Sequence, residues 1–307
     1  MDKVKIIFFG THEFAVTILK ELVQAPFIQI TGVVTQPDQP VGRKQVLTPP
    51  PIKIFAEQNN LPIFQPLSLK NFSVSELPEF DLFVVAQYGK IIPLSIVDAP
   101  GYGTLNVHTS LLPKYRGASP IQTALIHGEK ETGVTIMKMD QGMDTGPILL
   151  QKKISIGPNK TFESLDADLA QVGAQALIEA IPGYIEGTLV PEPQDDSQAT
   201  LTKILSREDG KVDWNKTTDE IYNLYRGLTP WPGIWTMWNG KRLKLLSIKP
   251  GNTHISPGQV QSQGKSVSIG TQDGCIEVLE LQLEGKSVMS ASAFINGQKE
   301  FIGSTLQ

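Results

Sequence analysis

Val4-Lys-Ile-Ile-Phe-Phe-Gly-Thr11 is a short apolar run closed by a glycine turn, and Phe14, Ile18, Leu19 and Leu22 follow it at helical spacing. A second apolar run, Ile28 to Thr35, comes next. Strand, turn, helix and strand in that order begin a doubly wound α/β domain. The glycines of the first turn form neither G-x-G-x-x-G nor a Walker A sequence, so a dinucleotide is not implied.

Outward from this opening, Gln36 to Pro51 carries five prolines around Gly42-Arg43-Lys44. A segment of that length without periodicity reads as a functional loop or as a solvated surface loop. Pro51 to Gln58 is expected to be a short helix with proline in its first turn. Leu82 to Ala86 is apolar throughout, the pattern of a central buried strand, and Gln87-Tyr88-Gly89 closes it. Leu149 to Ile156 reads as a further strand. Phe162 to Ile185 reads as a long helix that turns Leu165, Leu169, Val172, Ala176 and Ile185 toward the sheet.

Glu186 to Leu205 is poor in apolar residues and contains Gly187, Pro191, Pro193, Asp195 and Asp196, the composition of a linker partly stiffened by proline. The expected division is therefore a first domain over 1–186, a linker over 187–205 and a second domain over 206–307. In the second domain Thr218 to Tyr225 reads as a short helix, and Thr229 to Trp238 holds three of the four Trp. A Trp cluster is expected in the core and not as a stacking platform for bases. Short β runs then alternate with Asn239-Gly240, Lys249-Pro-Gly251, Ser256-Pro-Gly258, Gln263-Gly264 and Asp273-Gly274, the spacing of a small barrel. Lys241, Arg242, Lys244 and Lys249 would give it a basic edge, or would protect exposed strands from edge pairing.

With 307 residues, 40% apolar and 19% charged, the chain has a globular composition and enough length for two domains. It lacks an apolar run long enough to span a bilayer, and Met-Asp-Lys at its start is not a signal peptide, so a cytoplasmic protein is expected. Cys275 is the single cysteine, and with four scattered His it makes no zinc spacing, so no metal is expected. The net charge of −4 argues against a protein held on nucleic acid by bulk electrostatics. Of the 27 basic and 31 acidic residues, 11 and 10 lie from Ser206 onward, leaving 16 and 21 before it. The first part is thus near −5 and the second near +1, and the second tolerates phosphate better.

Candidate chemistry gathers between Asn106 and Asp144. Asn106 and His108 are two apart on the strand-like Leu105-Asn-Val-His108, so both side chains share one face while Leu105 and Val107 take the other. Thr132 to Met139 alternates as a half-buried strand, and the loop after it, loosened by Gly142, could carry Asp144 back over that face. An amide donor, an imidazole and a carboxylate to orient it suit acyl transfer to an amine, with Asn106 on the oxyanion and His108 moving protons. The alternative of a cation loop over Asp140 to Gln151 fails, because an EF-hand needs Gly at its sixth position and Glu at its twelfth, where Thr145 and Gln151 stand.

Asn106-Val-His-Thr-Ser-Leu-Leu-Pro-Lys-Tyr-Arg-Gly-Ala-Ser-Pro-Ile-Gln122 and Glu131-Thr-Gly-Val-Thr-Ile-Met-Lys-Met-Asp-Gln-Gly-Met-Asp-Thr-Gly-Pro147 resemble the signature of the 10-formyltetrahydrofolate-dependent formyltransferases. The similarity runs from Phe9-Gly-Thr11 to Ser287-Val-Met-Ser-Ala291; His12 stands where the family usually has Pro. The resemblance implies a Rossmann-like α/β catalytic domain followed by a small OB-fold-like β-barrel. It places Asn106, His108 and Asp144 as catalytic residues, and Ser110, Leu111, Leu112 and Pro113 on the folate-contacting turn. Tyr88 falls beside that pocket, either as a folate contact or as a ring packed at the sheet edge. The resemblance implies 10-formyltetrahydrofolate as donor and methionyl initiator tRNA as acceptor, with Arg43 and Lys44 meeting the acceptor end. A monomer with no metal and no membrane contact is expected. Two other readings use the same residues: a formyltransferase for a nucleotide-linked sugar or other small amine, and a tRNA-binding module without catalysis.

Overall fold

The computed structural model describes residues 3–42, 44–263 and 266–307. The chain begins with β1 (Val4–Gly10), α1 (Glu13–Gln24) and β2 (Ile28–Val34), then a small hairpin of β3 (Gln39–Val41) and β4 (Val46–Thr48). Next come α2 (Pro51–Gln58), β5 (Ile63–Phe64), β6 (Leu82–Ala86), α3 (Leu94–Val97), β7 (Thr104–His108) and the two-residue β8 (Arg116–Gly117). After α4 (Pro120–Ile126) come β9 (Glu131–Lys138), β10 (Ile148–Ser155), α5 (Phe162–Ile185) and β11 (Leu201–Thr202). The remainder is α6 (Thr218–Leu228), β12 (Ile234–Trp238), β13 (Lys241–Gly251), β14 (Val260–Gln263), β15 (Ser266–Gly270), β16 (Cys275–Leu283), β17 (Met289–Ser290) and α7 (Ala291–Gly297).

Two compact units result, and their boundaries differ from a simple cut. The first takes the chain up to Gly117, Glu131–Ser155 and Asp166–Leu201; the second takes Ala118–Lys130, Ile156–Leu165 and Thr202–Gln307. Two segments expected inside the first domain thus cluster with the second. Most of the stretch expected as a linker, up to Leu201, belongs to the first unit.

The first unit is built on a seven-stranded sheet in the order β10-β9-β7-β6-β1-β2-β5. From β7 to β5 all neighbours are parallel, which accounts for the apolar runs of β1 and β6, buried on both faces. β9 and β10 complete the sheet antiparallel. On one face α1 buries Phe14, Ile18, Leu19 and Leu22. Helix α5 lies close over β7 because Gly173 is small: a Cβ there would stand 2.8 Å from Val107 Cγ1. Val107 therefore faces helix, and Asn106 and His108 face the other way. The buried stripe of α5 runs through Leu169, Ala176, Leu177, Ala180 and Ile181. Of the residues expected to face the sheet, Val172 and Ile185 are only half-buried, Ile185 at the helix end one turn beyond that stripe.

The second unit is a small antiparallel β domain, ordered β12-β13-β16-β15-β14 with β17 added on β16. Its core joins Trp214, Ile221, Trp238, Leu243, Ile276, Phe294 and Phe301. Trp238 meets Phe294 and Phe301 edge to face, at 5.6 and 5.2 Å between ring centroids. Trp235 is buried too, but Trp231, expected in the core with them, is 57% exposed on the turn after α6. Of the expected basic edge, Arg242 stacks 3.9 Å over Trp235 and pairs with Glu208, and Lys249 pairs with Glu277. Lys241 and Lys244 are exposed and make no ion pair among the described residues.

Candidate active site

β7 presents two polar side chains on one face of the sheet. Asn106 lies opposite Met137 on β9 and Val85 on β6, and His108 lies opposite Thr135. The His108 side chain is buried, between the carbonyl oxygen of Tyr115, 3.1 Å from Nε2, and the carboxylate of Asp144, 3.5 Å from Nδ1. A carbonyl only accepts, so the first contact is a hydrogen bond when Nε2 carries the proton. The second is at the outer edge of hydrogen-bond length and within reach of an ion pair. The Asn106 amide is half-buried and makes no hydrogen bond among the described residues. Among the described residues it is a donor without a partner, next to an imidazole that has two.

Asp144 arrives from the far end of β9. Lys138, the last residue of β9, pairs with Leu105, three residues before His108, so the loop starts below the imidazole and has to climb. It returns at once: Ile148 on β10 pairs with Met137, and Lys138 N donates to Pro147 O at 2.9 Å. Asp140 Oδ1 braces the rise by accepting from Gly142 N at 3.0 Å and Thr145 Oγ1 at 2.7 Å. Asp144 itself is in the left-handed region, φ 55°, and its Oδ2 accepts from Gly117 N at 2.8 Å. The loop can return this tightly because position 146 has no side chain. A Cβ there would lie 1.9 Å from the Lys138 carbonyl oxygen. Gly146→Ala is accordingly expected to destabilise the protein by about 1–3 kcal/mol. Thermal unfolding of the purified variant measures this, and an unchanged Tm would contradict the packing.

Ser110 to Pro113 turn away from β7 and are fastened from beneath by two polar strand residues. Thr135 Oγ1 donates to Ser110 O at 2.7 Å and accepts from Leu112 N at 3.1 Å. Gln151 Nε2 donates to Leu112 O at 2.8 Å and to Thr135 Oγ1 at 2.9 Å. Ser110 is fully buried, and its hydroxyl donates to Lys114 O at 2.6 Å. Sequence reading did not single out Thr135 or Gln151 for this work. The only signal was for Thr135, a polar residue between buried neighbours on its strand; Gln151 stands on the alternating β10 with no such mark.

Tyr88, expected beside the same turn, is 2% exposed, and its ring meets Phe9 edge to face at 5.7 Å. Burial pushes its hydroxyl up to about 12. The backbone around it is held as well, since Thr11 Oγ1 and Gln36 Nε2 each donate to Tyr88 O at 2.8 Å. Next to it, Gln87 Nε2 donates to Asp166 Oδ1 at 2.8 Å, and burial raises that carboxyl against the hydrogen bond. Arg43 lies outside the described residues. Lys44 is exposed in the turn between β3 and β4, among the exposed Val41, Val46 and Leu47. The structure thus brings Asn106, His108, Asp144 and the 110–113 turn to one face of β7.

Residues 3–181 match the family described as formyl transferase, and residues 204–299 match the formyl transferase C-terminal domain. The methionyl-tRNA formyltransferase of Geobacter sulfurreducens is 42% identical over 301 residues, covering 97% of this chain and 95% of that protein. That of Desulfotalea psychrophila is 45% identical over 301 residues, covering 96% and 93%. Among solved structures, an N-formyltransferase from Helicobacter canadensis in complex with folinic acid and dTDP-3-aminofucose superposes with a TM-score of 0.66 at 22% identity, covering 91% of this chain and 98% of that one. At that identity the likeness is one of fold.

Proposed function

The chain belongs to the formyl transferase family, and we propose that it transfers the formyl group of 10-formyltetrahydrofolate to the α-amino group of methionyl initiator tRNA. The relatives that match along nearly the whole length of both chains are named methionyl-tRNA formyltransferases. The observation that carries the reading is the pairing of His108 with Asp144 beside an Asn106 amide that has no hydrogen-bond partner among the described residues.

In the reaction the amine nitrogen attacks the formyl carbon, a carbon–nitrogen bond forms, and the carbonyl oxygen becomes an oxyanion. The Asn106 amide donates to that oxygen, whose negative charge develops only as the bond forms, so the interaction favours the transition state over the substrate. The attacking amine has an ordinary pKa of about 7.7–8.0, so roughly a tenth to a sixth of it is already the free base at neutrality. His108, oriented by Asp144, takes part in moving the proton that the amine loses. The bond from the formyl carbon to N10 of the folate then breaks, that nitrogen takes up a proton, and tetrahydrofolate departs.

The 110–113 turn is the folate contact we propose. It is fixed by Thr135 and Gln151 before a ligand arrives, which reduces the ordering cost of binding. Tyr88, buried against Phe9, serves that pocket by holding the 87–89 turn in place. For the tRNA, Arg43 and Lys44 are the acceptor-end contacts the resemblance implies. The second unit contributes RNA affinity through its exposed Lys241 and Lys244. Formyl transfer is measured with purified protein, 10-formyltetrahydrofolate and charged initiator tRNA, beside a nucleotide-linked amino sugar as rival acceptor. Formylmethionyl-tRNA is the expected product. Transfer to the sugar alone would replace the acceptor, and no transfer to either would leave a binding module.

A further inference from the structure

We propose that Gln194, which lies in the proline-containing stretch after α5, is a positioning residue that holds the loop of Asp144 in its working shape. The proposal rests on the reading that Asp144 orients His108 during transfer. The Gln194 carboxamide uses all four of its hydrogen-bonding positions. Its nitrogen donates to the carbonyl oxygens of Asp144 at 2.9 Å and of Gly146 at 2.7 Å. Its oxygen accepts from Arg116 Nε at 3.0 Å and from Arg116 Nη2 at 2.8 Å. Because the guanidinium only donates and the two carbonyls only accept, the network itself dictates which end of the amide is which.

Arg116 is in turn 5% exposed, and its Nη2 reaches Asp196 Oδ1 at 2.7 Å. The next residue, Gly117, supplies the backbone N–H that Asp144 Oδ2 accepts. Asp144 is therefore gripped on both sides of its Cα. Gly117 fixes the carboxylate, while Arg116 acts through Gln194 on the backbone. The grip falls on a residue at φ 55°, a conformation that costs free energy for any side chain but glycine and persists only where the surroundings impose it. Released from Gln194, the 144–146 backbone has a route to relax that turns the carboxylate from His108. A displacement of about 1 Å at a catalytic group is enough to cost on the order of 100-fold in rate.

Gln194→Glu tests this, since it keeps the side chain's size and its partnership with Arg116 but sets an acceptor against the two carbonyls. The single-turnover rate is expected to fall about 10- to 100-fold, with KM for charged tRNA little changed and the circular dichroism spectrum unaltered. In an Asp144→Asn background, followed with enzyme in excess, Gln194→Glu is expected to lower the residual rate no further, because the group it acts through is already lost. A wild-type rate in folded Gln194→Glu protein overturns the proposal, and so does an additive loss in the double variant. If Gln194→Glu does not fold, Gln194→Met, which removes the same hydrogen bonds without a charge, is judged by the same two criteria. Failure of both to fold overturns it too, by making Gln194 a residue of the fold and not of the site. An Asp144→Asn enzyme at full rate would instead bring down the catalytic reading on which the proposal stands.

Discussion

Replacing His108 by alanine is expected to slow formyl transfer by about 10²- to 10⁴-fold, the range a positioned acid–base group supplies. The ring hydrogen-bonds to one backbone carbonyl and faces one carboxylate, so its loss removes the proton route and leaves the Asp144 carboxylate with the Gly117 N–H but no imidazole. Asn106→Ala is the companion measurement and the cleaner one. Its amide makes no hydrogen bond among the described residues, so truncation leaves no protein group orphaned, and Tm should hardly move. Its rate should nonetheless fall about 10²- to 10³-fold, as for the loss of one oxyanion donor. Single-turnover assays with charged initiator tRNA, beside thermal unfolding, read both effects. Normal transfer by a folded Asn106→Ala enzyme would remove the amide from the mechanism.

Cutting the chain at the polar stretch is expected to give a first fragment that does not fold stably by itself. A composition-based linker over 187–205 predicts the opposite, a clean separation. The reason is the membership of Ala118–Lys130 and Ile156–Leu165 in the second unit. Helix α4 buries Pro120, Ile121, Ala124 and Leu125. It packs against α6 so closely that a Cβ on Gly227 would stand 2.8 Å from Ile126 Cγ1 and 2.9 Å from Gln122 O. The buried Arg226 of α6 donates to the carbonyls of Gly157 and Lys160 at 3.4 and 3.1 Å. A fragment ending at Leu201 keeps both inserted segments but has neither α6 nor the small sheet to receive them. We expect it to aggregate or to melt well below the whole chain. A fragment ending at Glu186 should fare worse, since it also lacks Gln194 and Thr200, and Thr200 accepts from Tyr115 N and Arg116 N at 2.8 and 2.9 Å. Soluble fragments with native-like cooperative melting would show that the second unit is dispensable for the first.

Much of the scaffold was legible because burial and proline leave local marks. Leu82–Ala86 is a strand with the bounds its unbroken apolar run gives, and Pro51–Gln58 starts at the proline that suits a first helical turn. The shared face of Asn106 and His108 followed from period two alone. What could not be read was every contact made by an isolated polar residue across a long stretch of chain. Gln194 stands between Pro193 and Asp195, in a composition that also describes a solvated tether, and its hydrogen bonds to Asp144 and Arg116 have no period to betray them. Arg116 was in plain view within the quoted signature, but a lone basic residue is read as exposed until a structure buries it. The exchange of segments between units escaped for a related reason. α4 looks from sequence like any amphipathic helix, and its pattern says that it has an apolar partner without saying which.

The order of elements also sets a timetable on the ribosome. Helix α4, whose Ile126 packs against α6, is synthesised about 90 residues before it, and at roughly 5–20 residues per second that interval lasts on the order of 5–20 s. During it the nascent chain carries a helix whose Ile126 side has yet to meet α6. The sheet of the first unit has all its strands by Ser155, well before that wait ends. Vectorial folding of this protein therefore pauses with one element exposed, and the nascent chain's need for a chaperone should be greatest between release of α4 from the exit tunnel and the emergence of α6.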